Sequence, residues 1–139
     1  MQIKPLSPDV SVAQQILPED VPAAAAAGIR TIINNRPDGE APDQPDSAAI
    51  EAAATAAGLA YCHIPVVPGR MTQDDVAAMA AALRELPRPA LAFCRSGTRS
   101  AQLWALSQAG NCDVAAIIGA AREQGYDLTP LAGVLAGKG

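Results

Sequence analysis

The chain has 139 residues and a mass of 14.2 kDa, the size of one domain. Half of the residues are hydrophobic and 17% are charged, a balance that suits a packed core and excludes a disordered chain. A net charge of −4 and a pI near 4.8 argue against broad nucleic-acid binding, and no apolar run reaches the roughly 18 residues that cross a membrane. Alanine fills 31 positions while aromatics make up 3%, so the core is expected to be aliphatic, with alanine-faced helices lying close to what they cover. The opening MQIKPLSPDV has neither the basic segment nor the apolar block of a secretion signal. Cys62, Cys94 and Cys112 lack metal-ligand spacing and read as reduced thiols. These features predict a soluble cytoplasmic domain without metal, cofactor, membrane or nucleic-acid partner.

In chain order, short β-type runs alternate with helix-type runs, which predicts an α/β fold around a mostly parallel sheet of four or five strands flanked by helices. Asp9-Val10-Ser11-Val12 predicts a first strand, and the Pro18 and acidic residues after it suit a helix start. The helix through Ala23–Ala27 stops at Gly28. Ile29–Asn34 is β-branched and apolar enough for a buried strand, and Asn35–Asp43 is a turn-rich loop at its C-terminal end. Ser47–Ala57 predicts a helix, then Tyr61–Val66 a strand with Pro65 near its end. Thr72 through Asp75 resembles a capping box with Asp in place of Glu. Behind it, Val76, Met79, Ala80, Leu83 and Leu86 form one apolar stripe. Pro87 and Pro89 break that helix, and Ala90–Phe93 is apolar on both faces, as a central strand must be. Helices are expected over Ser100–Ala109 and Val114–Gln124, and the tail from Tyr126 is undetermined.

The strand Ala90–Phe93, the string Cys94-Arg95-Ser96-Gly97-Thr98-Arg99-Ser100 and the helix after it carry the chemistry. A loop feeding a helix N-terminus aims several backbone N–H groups at one spot, where the helix dipole adds positive character. Gly97 lets the backbone bend inward without a Cβ, and Arg99 offers a planar fork for two oxyanion atoms. Arg95, Ser96, Gly97, Thr98 and Arg99 thus make a candidate anion cradle with the Cys94 thiolate at its base, suited to attack on phosphorus or sulfur. The expected substrate is a small anion, either a phosphate ester or a sulfane-sulfur donor.

Three segments, GIRTIINNRPDGE, GLAYCHIPVVPG and FCRSGTRSAQLWAL, together resemble the beta-lactamase-hydrolase-like, phosphatase-like family, also known as DUF442. The resemblance covers nearly the whole chain. It implies a fold similar to dual-specificity protein-tyrosine phosphatases, and some members carry a sulfurtransferase label. It also implies roles: Cys94 as nucleophile, Arg99 as phosphate holder and Ser100 as the hydroxyl that steadies the leaving thiolate.

Two departures from that pattern matter. Phosphatase loops of this kind have five residues between Cys and Arg, whereas four stand here, the spacing of rhodaneses. The phosphatase acid, an aspartate after the third strand, is replaced by Val67-Pro68-Gly69-Arg70. Asp38 is a substitute acid because its loop shares a sheet rim with the Cys94 loop, although Pro37-Asp38-Gly39 equally reads as a turn. Arg36 adds charge to the same rim or is a solvated loop arginine. His63 reads as a hydrogen-bonded structural residue, Trp104 as a core anchor, and Cys62 and Cys112 as packing. Three readings stay open: a phosphatase-like hydrolase, a sulfurtransferase carrying a persulfide on Cys94, and a non-catalytic anion-binding module.

Overall fold

The computed structural model describes residues 1–138. Its sheet has five strands, β1 (Lys4–Pro5), β2 (Val10–Ala13), β3 (Thr31–Asn34), β4 (Ala60–His63) and β5 (Ala90–Phe93), in the order β1-β2-β5-β3-β4. β1 is antiparallel to β2 and every other pairing is parallel. The helices are α1 (Val21–Ala26), α2 (Ser47–Ala56), α3 (Gln73–Glu85), α4 (Thr98–Ser107), α5 (Val114–Glu123) and α6 (Ala132–Lys138), with 3-10 turns at Pro18–Asp20 and Thr129–Leu131. Among the described residues, no helix is long and apolar enough to cross a membrane.

β5 is central, as its composition requires. Leu91 and Phe93 face the layer that holds Ile16, Ile32, Ile50 and Ala54, beneath α1 and α2. Ala90 and Ala92 face the layer that holds Val12, Ile33, Met79, Leu103 and Trp104, beneath α3 and α4. The small alanines on that second face leave room for Leu103 and Trp104 to seat α4 on the sheet.

Several boundaries differ from the sequence expectation. β1 was not anticipated: two residues ending in Pro5 carry no alternating pattern, and only pairing with β2 makes them a strand. The third predicted strand ends at His63, because Pro65 has no ladder donor, although Ile64 and Val66 still donate to the carbonyls of Asn34 and Asn35. α4 begins at Thr98 instead of Ser100, so Arg99 lies in its first turn. Cys112 is exposed and not a packing residue. The Thr72–Asp75 capping box is present, with Thr72 Oγ1 accepting the Asp75 N–H at 3.1 Å and Asp75 accepting the Thr72 N–H at 2.9 Å.

The register sets where the candidate site residues emerge. Ala13, Phe93, Asn34 and His63 stand in one row across the four parallel strands. The segments that leave that row, beginning at Gln14, Cys94, Asn35 and Ile64, emerge on one rim.

Candidate active site

Cys94 follows the last residue of β5 and is 1% exposed. Gly97 caps α4 with φ of 93°, a left-handed conformation that glycine adopts without strain. That turn aims the Gly97 N–H back at Cys94 Sγ, at 3.1 Å. A Cβ at position 97 would collide with the Tyr126 hydroxyl, which itself donates to the Ser96 carbonyl at 3.1 Å. The Lys4 ammonium lies 5.0 Å from the centre of the Tyr126 ring. Burial first, and then the charge of Cys94, push the Tyr126 hydroxyl above its ordinary pKa, so Tyr126 stays a neutral phenol against the outer side of the loop.

Arg99 is held on three sides. Its Nη1 donates to Glu40 Oε2 at 2.8 Å and to the Val66 carbonyl at 2.7 Å, while Nη2 donates to Glu40 Oε1 at 2.9 Å. The result is a two-point carboxylate–guanidinium fork. Glu40 also accepts from Arg36 Nε at 3.0 Å, and Arg36 Nη1 donates to Gln15 Oε1 at 3.0 Å. Hydrogen bonding to Arg99 is the main reason the Glu40 carboxyl lies below its ordinary pKa of 4.5, with Arg36 adding to it and burial opposing it. Glu40 in turn is the main reason that Arg99 holds its proton more firmly than a free arginine, and the charge of Cys94 adds to this.

The cradle residues divide into two sets. Gly97 and Arg99 are buried, whereas Arg95, Ser96 and Thr98 are exposed. Ser96 and Thr98 bond through their hydroxyls at 3.0 Å, and the Arg95 carbonyl accepts the Gln15 N–H at 3.2 Å. Ser100 is fully buried and donates its hydroxyl hydrogen to Asn35 Oδ1 at 2.8 Å. Asn35 passes the connection on, donating from Nδ2 to the Ile64 carbonyl at 3.1 Å. Ser100 therefore ties the start of α4 to the ends of β3 and β4.

Asp38 is on the expected rim, but its carboxylate accepts the Ser47 N–H at 2.7 Å, at the start of α2. Arg36, by contrast, is 4% exposed and belongs to the Glu40 clamp. His63 Nε2 is bonded to the Arg36 carbonyl at 2.9 Å, and Trp104 is buried. Sequence reasoning missed Glu40, Asn35 and Tyr126. The four-residue spacing of Arg36 and Glu40 in a loop already placed on the Cys94 rim was the available signal for Glu40. Among the described residues, no group of three or more His, Cys, Asp or Glu side chains is placed to hold a metal ion.

A family model described as "Beta-lactamase hydrolase-like protein, phosphatase-like domain" matches residues 2–111. The chain belongs to this family. Two curated relatives, both described as beta-lactamase hydrolase-like proteins, come from Agrobacterium fabrum (36% identical over 86% of this chain) and Xylella fastidiosa Temecula1 (46% identical over 60% of it). The chain spans only 28% and 20% of their lengths. Among solved structures, a candidate phosphatase of Neisseria meningitidis Z2491 is 33% identical, with a TM-score of 0.87 and 99% of that chain covered. The protein-tyrosine-phosphatase fold is shared with Tk-PTP, 14% identical with a TM-score of 0.68 over 98% of this chain and 94% of that one. This family member thus has a phosphatase-like fold, with Cys94 and Arg99 at the head of its central strand.

Proposed function

We propose that this family member hydrolyses phosphate monoesters through Cys94. The observation that carries the reading is the paired orientation at the head of α4: the Gly97 N–H points at Cys94 Sγ while Glu40 fixes the plane of Arg99. Three of the five guanidinium hydrogens go to Glu40 and Val66; the other two are the ones a phosphoryl group over Cys94 would take. Fixing that fork in advance places positive charge where oxygens of the transferring group gather.

The Cys94 thiolate attacks phosphorus, forming an S–P bond as the ester O–P bond breaks and its electron pair leaves with the alcohol oxygen. That oxygen takes a proton. Water then attacks the phosphorus of the phosphocysteine, the S–P bond breaks, and the thiolate returns as inorganic phosphate departs. Because Asp38 is bonded to Ser47, the proton is assigned to solvent, which favours alcohols that leave as weak bases. Asp38→Asn is expected to change turnover of an aryl phosphate by less than about twofold. Acid assistance from Asp38 would instead appear as a loss of about 10²-fold or more on an alkyl phosphate.

The four-residue spacing from Cys94 to Arg99 favours a second reading, sulfur transfer. There the thiolate attacks the outer sulfur of thiosulfate, sulfite leaves with the electron pair of the old S–S bond, and cyanide takes the sulfur from the Cys94 persulfide as thiocyanate. Parallel assays with an aryl phosphate and with thiosulfate plus cyanide, each with a Cys94→Ser control, separate the two. Cys94-dependent release of phosphate supports hydrolysis. Cys94-dependent thiocyanate alone supports transfer, and binding of phosphate without either turnover leaves an anion-binding module.

A further inference from the structure

Beside the cradle lies a cavity of about 420 Å³, between the start of α3, one face of α4 and the segment that enters α6. Its walls are mainly apolar, built from Val66, Met71, Val76, Leu106, Leu131 and Val134, with Thr72, Gln73 and Gln102 as polar members. Among the described residues that line it, Arg99 alone carries a charge. The volume falls in the range of small-molecule sites. Val67 and Val134, both on its wall, are about half exposed, at 49% and 51%. Folding therefore leaves apolar surface uncovered at this place, beside Arg99, the residue that would hold the substrate's anion.

We propose that this cavity is the leaving-group subsite, and that it selects phosphate monoesters of bulky apolar alcohols. The inference rests on the phosphatase reading and names its substrate class. An ester held at its phosphoryl end by Arg99 has its alcohol within reach of the cavity that Arg99 helps to line, and each methylene placed there leaves water. Leu131 and Val134 lie beyond residue 111, where the family match ends. The C-terminal segment thus supplies one wall of the subsite.

The test is a series of 4-alkylphenyl phosphates, from phenyl to 4-butylphenyl, in which chain length grows while the basicity of the leaving phenol barely changes. kcat/KM is expected to rise by about fourfold per methylene until the cavity is full, chiefly through KM. In Val134→Asp, at a position about half exposed, the 4-butylphenyl to phenyl ratio is expected to collapse towards one. Binding of 4-butylphenylphosphonate and of methylphosphonate to Cys94→Ser protein supplies the second readout, with the former expected to bind at least about tenfold more tightly. Length-dependent binding without phosphate release from any ester would keep the cavity as a ligand site and overturn the phosphatase reading beneath it. Turnover that is flat across the series, or a concentration-dependent dimer that Val134→Asp dissociates, would overturn the subsite.

Discussion

The two ends of the parallel sheet are built on different terms. At the end where β3 and β5 finish, Asn34, Asn35, Arg36, Arg99 and Ser100 are all buried. At the opposite end, Thr31 is buried with its hydroxyl on the Pro87 carbonyl at 2.7 Å, and Ser11 is buried one row further in. Burying charge and amide groups costs free energy unless each finds a partner. Among the described residues, no buried side-chain nitrogen or oxygen lacks one. The rim that surrounds Cys94 is thus a connected polar network, while at the other end the buried Thr31 hydroxyl is held by a single carbonyl. A fold needing only stability could finish both ends in the second way, so the difference supports placing the proposed chemistry at the first rim.

Disturbing the first rim should cost function, and disturbing the second only stability. The largest effect is expected from Arg99→Lys, which keeps charge but loses the fork: turnover should fall about tenfold or more. Arg95→Lys, on an exposed side chain, should stay within about twofold in the same steady-state assay. Equal losses would mean that general positive charge, not the held plane of Arg99, is what the site uses.

Glu40→Gln comes next, with an expected loss of about fivefold, since a neutral amide gives Arg99 a weaker and less directional partner. It also carries a pH signature. The folded Glu40 carboxyl lies below its ordinary value of 4.5 because Arg99, and then Arg36, favour its charged form. Its contribution to stability is therefore fully present above about pH 4.5 and is lost as pH falls through the lowered folded value. Denaturant melts should show the gap between parent and Glu40→Gln widest at neutral pH and closing in acid. A gap that widened in acid would contradict the clamp.

The smallest effects compare the two ends directly. Ser100→Ala leaves the buried Asn35 Oδ1 without its donor and should cost about 1–3 kcal/mol, with a fall in turnover as the start of α4 loosens. Thr31→Val should cost about 1 kcal/mol, because Pro87 is exposed and its carbonyl can turn to water, and turnover should not change. A Thr31→Val protein with impaired turnover would remove the distinction between the ends.

Much of this was legible in the sequence because it is local. β3 and β5 announce themselves by apolar runs, α3 by its stripe and its Thr72–Asp75 cap, and the cradle by Gly97 between a strand and a helix. What was not legible depends on contacts across the chain. Glu40 reaches Arg99 from 59 positions away, and apart from its four-residue spacing from Arg36 its turn-rich surroundings are like those of Asp38, whose carboxylate serves Ser47 instead. Tyr126 and α6 were hidden for a related reason: an alanine- and glycine-rich tail has weak periodicity, and only packing against α4 and α5 gives it a place.

The most direct test is to identify what Cys94 carries during turnover. The protein would be mixed with phenyl phosphate, quenched rapidly in denaturant and digested, and the peptide that contains Cys94 examined by mass spectrometry. The expected result is a phosphoryl group on the Cys94 sulfur that appears at the rate of turnover and disappears when substrate is exhausted. Phosphate release with Cys94 unmodified throughout, or with the phosphoryl group on another side chain, would contradict the assignment of Cys94 as nucleophile.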